Sequence, residues 1–382
     1  MRMKDASVIY RAEWLHDGAR LHPGAALWLR GGRVAAVLPA GAPLPEGAAV
    51  HDLGAGGVAP GMVDLQVNGG GGVMLGAGAD EAMIARIVEA HAGLGATMIL
   101  PTLITDTTAV TEAVIAAAID AHQAGQPGFA GLHLEGPHLD PKRHGAHDPA
   151  LIRPMTAQDL ALYIRAAGAL PALMITLAPE SASPAQIAAL ADAGVVVSLG
   201  HSDCSYEAAQ TAIAAGARCV THLFNAMSPL SHRAPGLVGA ALDSDVAAGL
   251  IADGVHVADP ALRLALSASE RLFLVSDSMA VAGTDLTEFR LGGRRILRRS
   301  GRLQLGDGTL AGADVNLPQA VAHLVAAGCG LERALAMATG LPAGLIGART
   351  GRLIEGAAAD FVHLDAGLAL AGVWRGGQRL SR

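Results

Sequence analysis

Aromatic side chains are scarce: 3% of the 382 residues are Phe, Trp or Tyr. A core must therefore be built from Ala, Val, Leu and Ile. Charge is also sparse, at 16% against 51% hydrophobic residues, which excludes global disorder and allows a large buried core. The scarcer sign is positive, with 27 Lys and Arg against 34 Asp and Glu and a formal net charge of -7. That balance argues against a nucleic acid or an anionic membrane as partner. The three cysteines, Cys204, Cys219 and Cys329, lack zinc-finger spacing and cannot all pair, which points to a reducing compartment. No apolar run approaches the roughly 20 residues of a membrane span. The opening stretch MRMKDASVIYRAEW lacks the apolar segment of a secretory signal. A soluble cytoplasmic protein is expected.

The chain does have a clear alternation of patterns. Its length exceeds one small domain and suits a large barrel with a small accessory domain. Near the N-terminus, residues 6–10, 26–29 and 33–38 read as strands, with Gly31-Gly32 as a hairpin signal. Residues 351–359 and 361–364 look similar, and 371–374 with Arg375-Gly376-Gly377-Gln378 predicts another hairpin. Residues 1–58 and 346–382 are therefore expected to form one small β-sandwich domain.

From Ala59 the pattern becomes strand and helix in turn. Candidate strands are 62–67, 96–103, 129–134, 173–177, 195–199, 219–223, 248–251 and 272–275. Ala/Leu-rich stretches at 80–91, 107–121, 157–167, 184–193 and 206–215 lie between them, the last ending at Gly216. The fold class is α/β, and eight such units predict a (β/α)8 TIM-type barrel over residues 59–345. A doubly wound open sheet is the alternative. Gly69-Gly70-Gly71-Gly72 lacks the Lys-Ser/Thr of a phosphate-binding loop.

In such a barrel, chemistry gathers at the C-terminal strand ends. Those ends carry Asp64, Gln66 and Asn68, then Glu135, His201, His222, Asp253 with His256, and Asp277. A lone histidine at a strand end is ordinarily a hydrogen-bonded polar residue. His201 and His222 occupy equivalent places after two successive strands, and with Glu135 they offer a carboxylate and two imidazoles, a donor set suited to a catalytic divalent metal. Glu180 competes for the carboxylate place. Asp277 suits a helix cap or turn, but at the eighth strand end the preferred reading is a proton acceptor beside activated water. His147 and His256 lie on loops where surface histidines are common. Arg233 has the guanidinium to hold a phosphate or simply to be solvated. Lys142 and Arg143 read as an exposed loop face.

At these residues the chain resembles the amidohydrolase superfamily, and within it the family of N-acetylglucosamine-6-phosphate deacetylases. The matching motifs are Pro60-Gly61-Met62-Val63-Asp64-Leu65-Gln66-Val67-Asn68-Gly69, His133-Leu134-Glu135-Gly136-Pro137, Gly145-Ala146-His147, Gly200-His201-Ser202 and Thr221-His222-Leu223-Phe224-Asn225-Ala226-Met227. Arg233 with Pro235-Gly236, Asp253-Gly254-Val255-His256 and Ser276-Asp277 complete them. The resemblance implies a barrel with a terminal β domain and a divalent metal held by Glu135, His201 and His222, with Asp277 as acid/base. It implies substrate contacts from Ala146, His147, Asn225, Ala226, Arg233, His256, Leu310, Ala311 and Gly312. It further implies a homodimer or dimer-based tetramer, in which Arg233 acts on its own or a neighbouring subunit's site.

Many superfamily members place two histidines after the first strand for a second metal. Gln66 and Asn68 stand there instead and are poor Zn²⁺ ligands. One metal per subunit is expected, Zn²⁺ first, with Fe²⁺, Mn²⁺ or Co²⁺ as the other metals such a donor set takes. The expected reaction is hydrolysis of the acetamide of N-acetyl-D-glucosamine-6-phosphate. The rivals are a deacetylase of N-acetylgalactosamine-6-phosphate or an N-acetyl amino acid, and a non-catalytic sugar-phosphate-binding protein.

Overall fold

The computed structural model describes residues 7–381; Ala6, the start of the first expected strand, lies outside them. The chain separates into two compact units. One holds the chain up to Asp64, His91–Met98 and the chain from Asn316 onward; the other holds Leu65–Ala90 and Ile99–Val315.

In the first unit, a six-stranded sheet interleaves the two ends of the chain. Its order is Gln378–Arg379, Leu370–Arg375, Phe361–Leu364, Gly57–Pro60, Trp14–His16 and Leu21–Pro23. The join is the antiparallel pairing of Phe361–Leu364 with Gly57–Pro60, which sets Phe361 opposite Pro60. A second sheet has four strands, in the order Arg33–Leu38, Ala26–Arg30, Ser7–Arg11 and Ala49–Asp52. Leu15, Leu27, Leu29, Val34, Val58, Phe361 and Trp374 form a common buried core. Several of the rare aromatics collect here: the Phe361 and Trp374 rings stack at 4.6 Å, and Tyr10 lies 5.0 Å from Phe361. The stretch 351–359, expected as a strand, is turns and coil with one bridge between Arg33 and Ala358. Gly351 at φ 72° and Gly356 at φ 79° hold the left-handed backbone that an extended strand excludes.

The eight expected barrel strands are present. They are β1 (Met62–Val67), β2 (Ala96–Ile104), β3 (Leu132–Glu135), β4 (Leu173–Leu177), β5 (Val196–Leu199), β6 (Cys219–Val220), β7 (Ala247–Leu250) and β8 (Leu272–Leu274). Their order in the sheet follows the chain, and neighbours from β2 to β8 pair in parallel. A parallel bridge between Val67 and Ser278 joins the first strand to the segment after the last. Asp277 N donates to Gln66 O at 3.0 Å across the same seam, and Asn68 N to Ser278 O at 2.8 Å. This closure makes a (β/α)8 barrel.

Helices return the chain between strands: α1 (Glu81–Gly93), α2 (Thr108–Gln123), α3 (Ala157–Ala169), α4 (Pro184–Asp192), α5 (Tyr206–Ala214), α6 (Gly236–Leu242) and α7 (Asp259–Ala268). Their starts are written locally. Thr156 with Asp159 and Ser183 with Gln186 form reciprocal capping boxes for α3 and α4, while Ser205 accepts from Ala208 N at the start of α5.

One element is not foreseen from the sequence. After β8 the chain builds a four-stranded antiparallel sheet from Glu288–Leu291, Arg294–Arg299, Arg302–Gln304 and Leu310–Ala313. The cues were its turns: Gly292-Gly293 and Ser300-Gly301 all take positive φ, as two-residue hairpin turns require. Leu291, Ile296, Leu303 and Ala311 bury its apolar face with Met279 and Val281.

Candidate metal and active site

Glu135 is the last residue of β3, while His201 and His222 follow β5 and β6 by two residues. All three side chains are buried. Glu135 Oε1 lies 3.2 Å from His201 Nε2 and 3.1 Å from His222 Nε2, and the two Nε2 atoms are 3.1 Å apart. Tetrahedral Zn²⁺ with bonds of about 2.0–2.1 Å separates its ligands by roughly 3.3 Å, so this triangle fits a single metal ion. The backbone is bent to make it. His201, His222 and Asp277 have φ of 49°, 26° and 48°, a region that non-glycine residues seldom occupy and that costs on the order of 1–3 kcal/mol each.

For His201 and His147, hydrogen bonds at the far ring nitrogen bear on whether Nε2 has a free lone pair. His201 Nδ1 donates to the Arg143 carbonyl at 2.8 Å, which leaves Nε2 as a lone pair aimed at the triangle. Buried His222 Nδ1 has no partner, and the ring is fixed through its Nε2 side. Burial opposes charge on His222, but its contact with Glu135 outweighs this and raises its pKa. Burial likewise opposes charge on Glu135, and the two imidazoles overcome it and hold its carboxyl well below the usual range. A cation at the centre would satisfy the carboxylate and both lone pairs together.

His147 offers a rival third donor, since the ligand atoms of Glu135, His147 and His201 also lie within 4.8 Å of one another. Its Nε2 is 3.9 Å from Glu135 Oε2, farther than His222 is from Oε1. More decisively, Thr105 N donates to His147 Nδ1 at 3.3 Å, and Thr105 Oγ1 lies 2.8 Å from the same nitrogen. The backbone N–H can only donate, so Nδ1 is assigned as the acceptor and the proton to Nε2. That nitrogen can donate a hydrogen bond into the site but has no lone pair for a metal. Burial first, then neighbouring His201, lowers the His147 pKa to about 3, so the ring is neutral.

Asp277 completes the centre. Asn68 Nδ2 donates to its Oδ1 at 2.6 Å and Gln66 Nε2 at 3.2 Å, while Gln66 Nε2 also reaches Glu135 Oε1 at 3.0 Å. Gln66 thus bridges two carboxylates. Burial, reinforced by the charge of Glu135, raises the Asp277 pKa to about 6, against the pull of His222 and Asn68.

A cavity of about 270 Å³ opens onto these groups. Its walls include Ala146, His147, Asn225, Ala226, His256, Leu310 and Gly312, along with Glu135, His201, His222 and Asp277. Ala311 is fully buried beneath this wall in the core of the added sheet. His256 is held by Asp253, whose Oδ2 is 2.7 Å from its Nδ1. Arg233 is exposed and does not line the cavity. Glu180 accepts from Ser202 Oγ at 2.8 Å, also outside the lining. Arg143 pairs with Asp203 at 2.7 Å, with Lys142 3.9 Å from the same carboxylate.

Several contributors were not found from sequence. Thr105 and the Arg143 carbonyl act through contacts that no local pattern encodes. Met279, Leu291 and Thr309 enter the cavity wall because of the unforeseen sheet.

Residues 58–379 match the amidohydrolase family. An N-acetylgalactosamine-6-phosphate deacetylase from Shewanella sp. (strain ANA-3) is 39% identical over 336 residues, covering 86% of this chain and 84% of that one. The Homo sapiens N-acetylglucosamine-6-phosphate deacetylase is 36% identical over 375 residues, 92% of this chain and 90% of its own. Among solved structures, a mutant N-acetyl-D-glucosamine-6-phosphate deacetylase from Mycobacterium smegmatis, in complex with N-acetyl-D-glucosamine-6-phosphate, superposes with a TM-score of 0.91. It is 34% identical, and the match covers 98% of this chain and 99% of that one.

Proposed function

The chain belongs to the amidohydrolase family, and from that premise we propose that it hydrolyses the acetamide of N-acetyl-D-glucosamine-6-phosphate to D-glucosamine-6-phosphate and acetate. The observation that carries this reading is the convergence of Glu135, His201 and His222 within 3.2 Å, with Asp277 tied to the same centre through Gln66. Glu135, His201 and His222 would hold one divalent ion, Zn²⁺ in the first place. When bound, the ion supplies Lewis acidity and a hydroxide nucleophile at neutral pH.

The chain's own groups do the rest. Asp277 takes a proton from the attacking water. It returns that proton to the leaving sugar nitrogen as the C–N bond breaks. His147, neutral and protonated on Nε2, donates to the carbonyl oxygen where negative charge develops. Asn225, Ala226, His256, Leu310 and Gly312 shape the sugar site around this centre, with Ala311 supporting the wall. Arg233, exposed on its own chain, would meet the phosphate of a neighbouring copy in a homodimer or dimer-based tetramer. The setting is cytoplasmic amino-sugar catabolism.

Identity of 39% to the Shewanella enzyme supports a second reading, in which the 4-epimer N-acetylgalactosamine-6-phosphate is the substrate. Acetate release from both sugar phosphates, with and without a chelator, tests the two together. Chelator-sensitive release from the gluco epimer at higher kcat/KM supports the first; preference for the galacto epimer supports the second. No release from either overturns both.

A further inference from the structure

We propose that Arg294 is a phosphate-recognising residue supplied by the chain to its own cavity, deepening the sugar-phosphate reading above and resting on it. The need is electrostatic. A phosphorylated sugar is anionic, the chain is acidic overall, and no Lys or Arg lines the cavity among the described residues. Arg233 is exposed and outside the lining, so it would reach the anion only from a neighbouring copy, and a cation of the chain's own would act beside it.

Arg294 is not itself a lining residue, but two independent observations place it directly beside residues that are. The first is register. Arg294 pairs directly with Leu291 across the Gly292-Gly293 turn, and directly opposed residues of an antiparallel pair present their side chains on one face. Leu291 lines the cavity, so Arg294 shares the cavity-facing side of the hairpin. The neighbouring pair, Arg290 with Arg295, falls on the other face. The second contact is a hydrogen bond from Arg294 Nη2 to the carbonyl of Ala146, itself a lining residue.

Arg294 is also outside the ion pairs that hold two of its neighbours. Arg295 is ion-paired with Glu288, and Arg298 with Asp314 at 2.8 Å. Among the described residues, Arg294, like Arg290, is in no such ion pair, and its one hydrogen bond occupies one side of the guanidinium. Its charge partner is Asp307, whose carboxyl is held down first by hydrogen bonds to Thr309 and further by Arg294. The remaining N–H groups form a fork suited to two phosphate oxygens. The carbonyl contact then orients the fork instead of consuming it.

The test compares N-acetylglucosamine-6-phosphate with unphosphorylated N-acetylglucosamine in the metal-loaded wild type, Arg294→Gln and Arg294→Lys. The expected result is a KM increase of tenfold or more for the phosphorylated sugar with Arg294→Gln. Its kcat/KM should fall at least tenfold further than that of the unphosphorylated sugar, and Arg294→Lys should recover part of the loss. Equal losses for both sugars would mean that Arg294 only braces the Ala146–His147 loop, and would overturn the proposal. So would an unchanged ratio. Inorganic phosphate binding measured by calorimetry gives a readout independent of turnover. It should weaken at least fivefold in Arg294→Gln, and equal affinity counts against the assignment even if the wild type releases no acetate. Loss of acetate release in the wild type would instead strike the proposed function alone.

Discussion

The side-chain amide of Asn68 donates to Asp277 Oδ1 across 2.6 Å, joining residues 209 positions apart at the seam where the barrel closes. With Gln66 it gives the first strand a role other than metal binding: its carboxamides hold the two buried carboxylates of the centre. Removing that donor should make Asp277 harder to ionise. Asn68→Ala is expected to move the acid limb of the kcat/KM profile upward by about one to two pH units, as loss of a charge-assisted hydrogen bond of about 1.5–3 kcal/mol implies. A pH–rate profile checks this; an unmoved limb would separate Asn68 from proton transfer.

Asp277→Asn keeps the size and hydrogen-bonding shape of the side chain but cannot carry a proton away. Turnover should fall roughly a hundred- to ten-thousandfold while the protein still binds its metal. Steady-state kinetics and elemental analysis of the same sample decide it. Near-normal kcat would remove Asp277 from the chemistry.

The raised pKa of Asp277 also predicts how stability depends on pH. Its folded value of about 6 exceeds the ordinary 3.8, so the folded protein binds this proton more tightly than the unfolded chain. The resulting stabilisation is full below about pH 4 and is lost as pH rises through 6. In metal-free protein, Asp277→Asn should therefore be more stable than wild type at pH 8 and lose that advantage near pH 4. Urea unfolding in chelator at the two pH values tests the sign. A bound divalent ion favours the ionised carboxylate and should shrink the difference.

Metal content should be one ion per chain, and His222→Ala or His201→Ala should lower it well below one. His147→Ala should keep the ion while losing activity, because its tautomer presents an N–H to the site. Two tightly held ions per wild-type chain would contradict the carboxamide reading of the first strand, and metal loss in His147→Ala would exchange the roles of His147 and His222.

In the β domain, Phe361 is fully buried and stacks on Trp374. Phe361→Ala is expected to cost about 3–5 kcal/mol, the usual range for deleting a large buried ring. Chemical denaturation measures it.

The sequence by itself determined the alternation of strands and helices and the residue types at the strand ends. Both are local: apolar runs of strand length, Ala/Leu-rich stretches and capping residues are set within a few positions of one another. Glu135, His201, His222 and Asp277 could be singled out for that reason. The sheet after β8 escaped because its strands are charged and short, and only its paired turn residues marked it. Tertiary structure alone decided which nitrogen of His201 and of His147 carries the proton, because that depends on the Arg143 carbonyl and the Thr105 amide, 58 and 42 residues away in the chain. It likewise brought Arg294 to Ala146, across 148 residues. Hydrogen-bond partners at such separations are fixed by barrel closure and packing, which no local periodicity encodes.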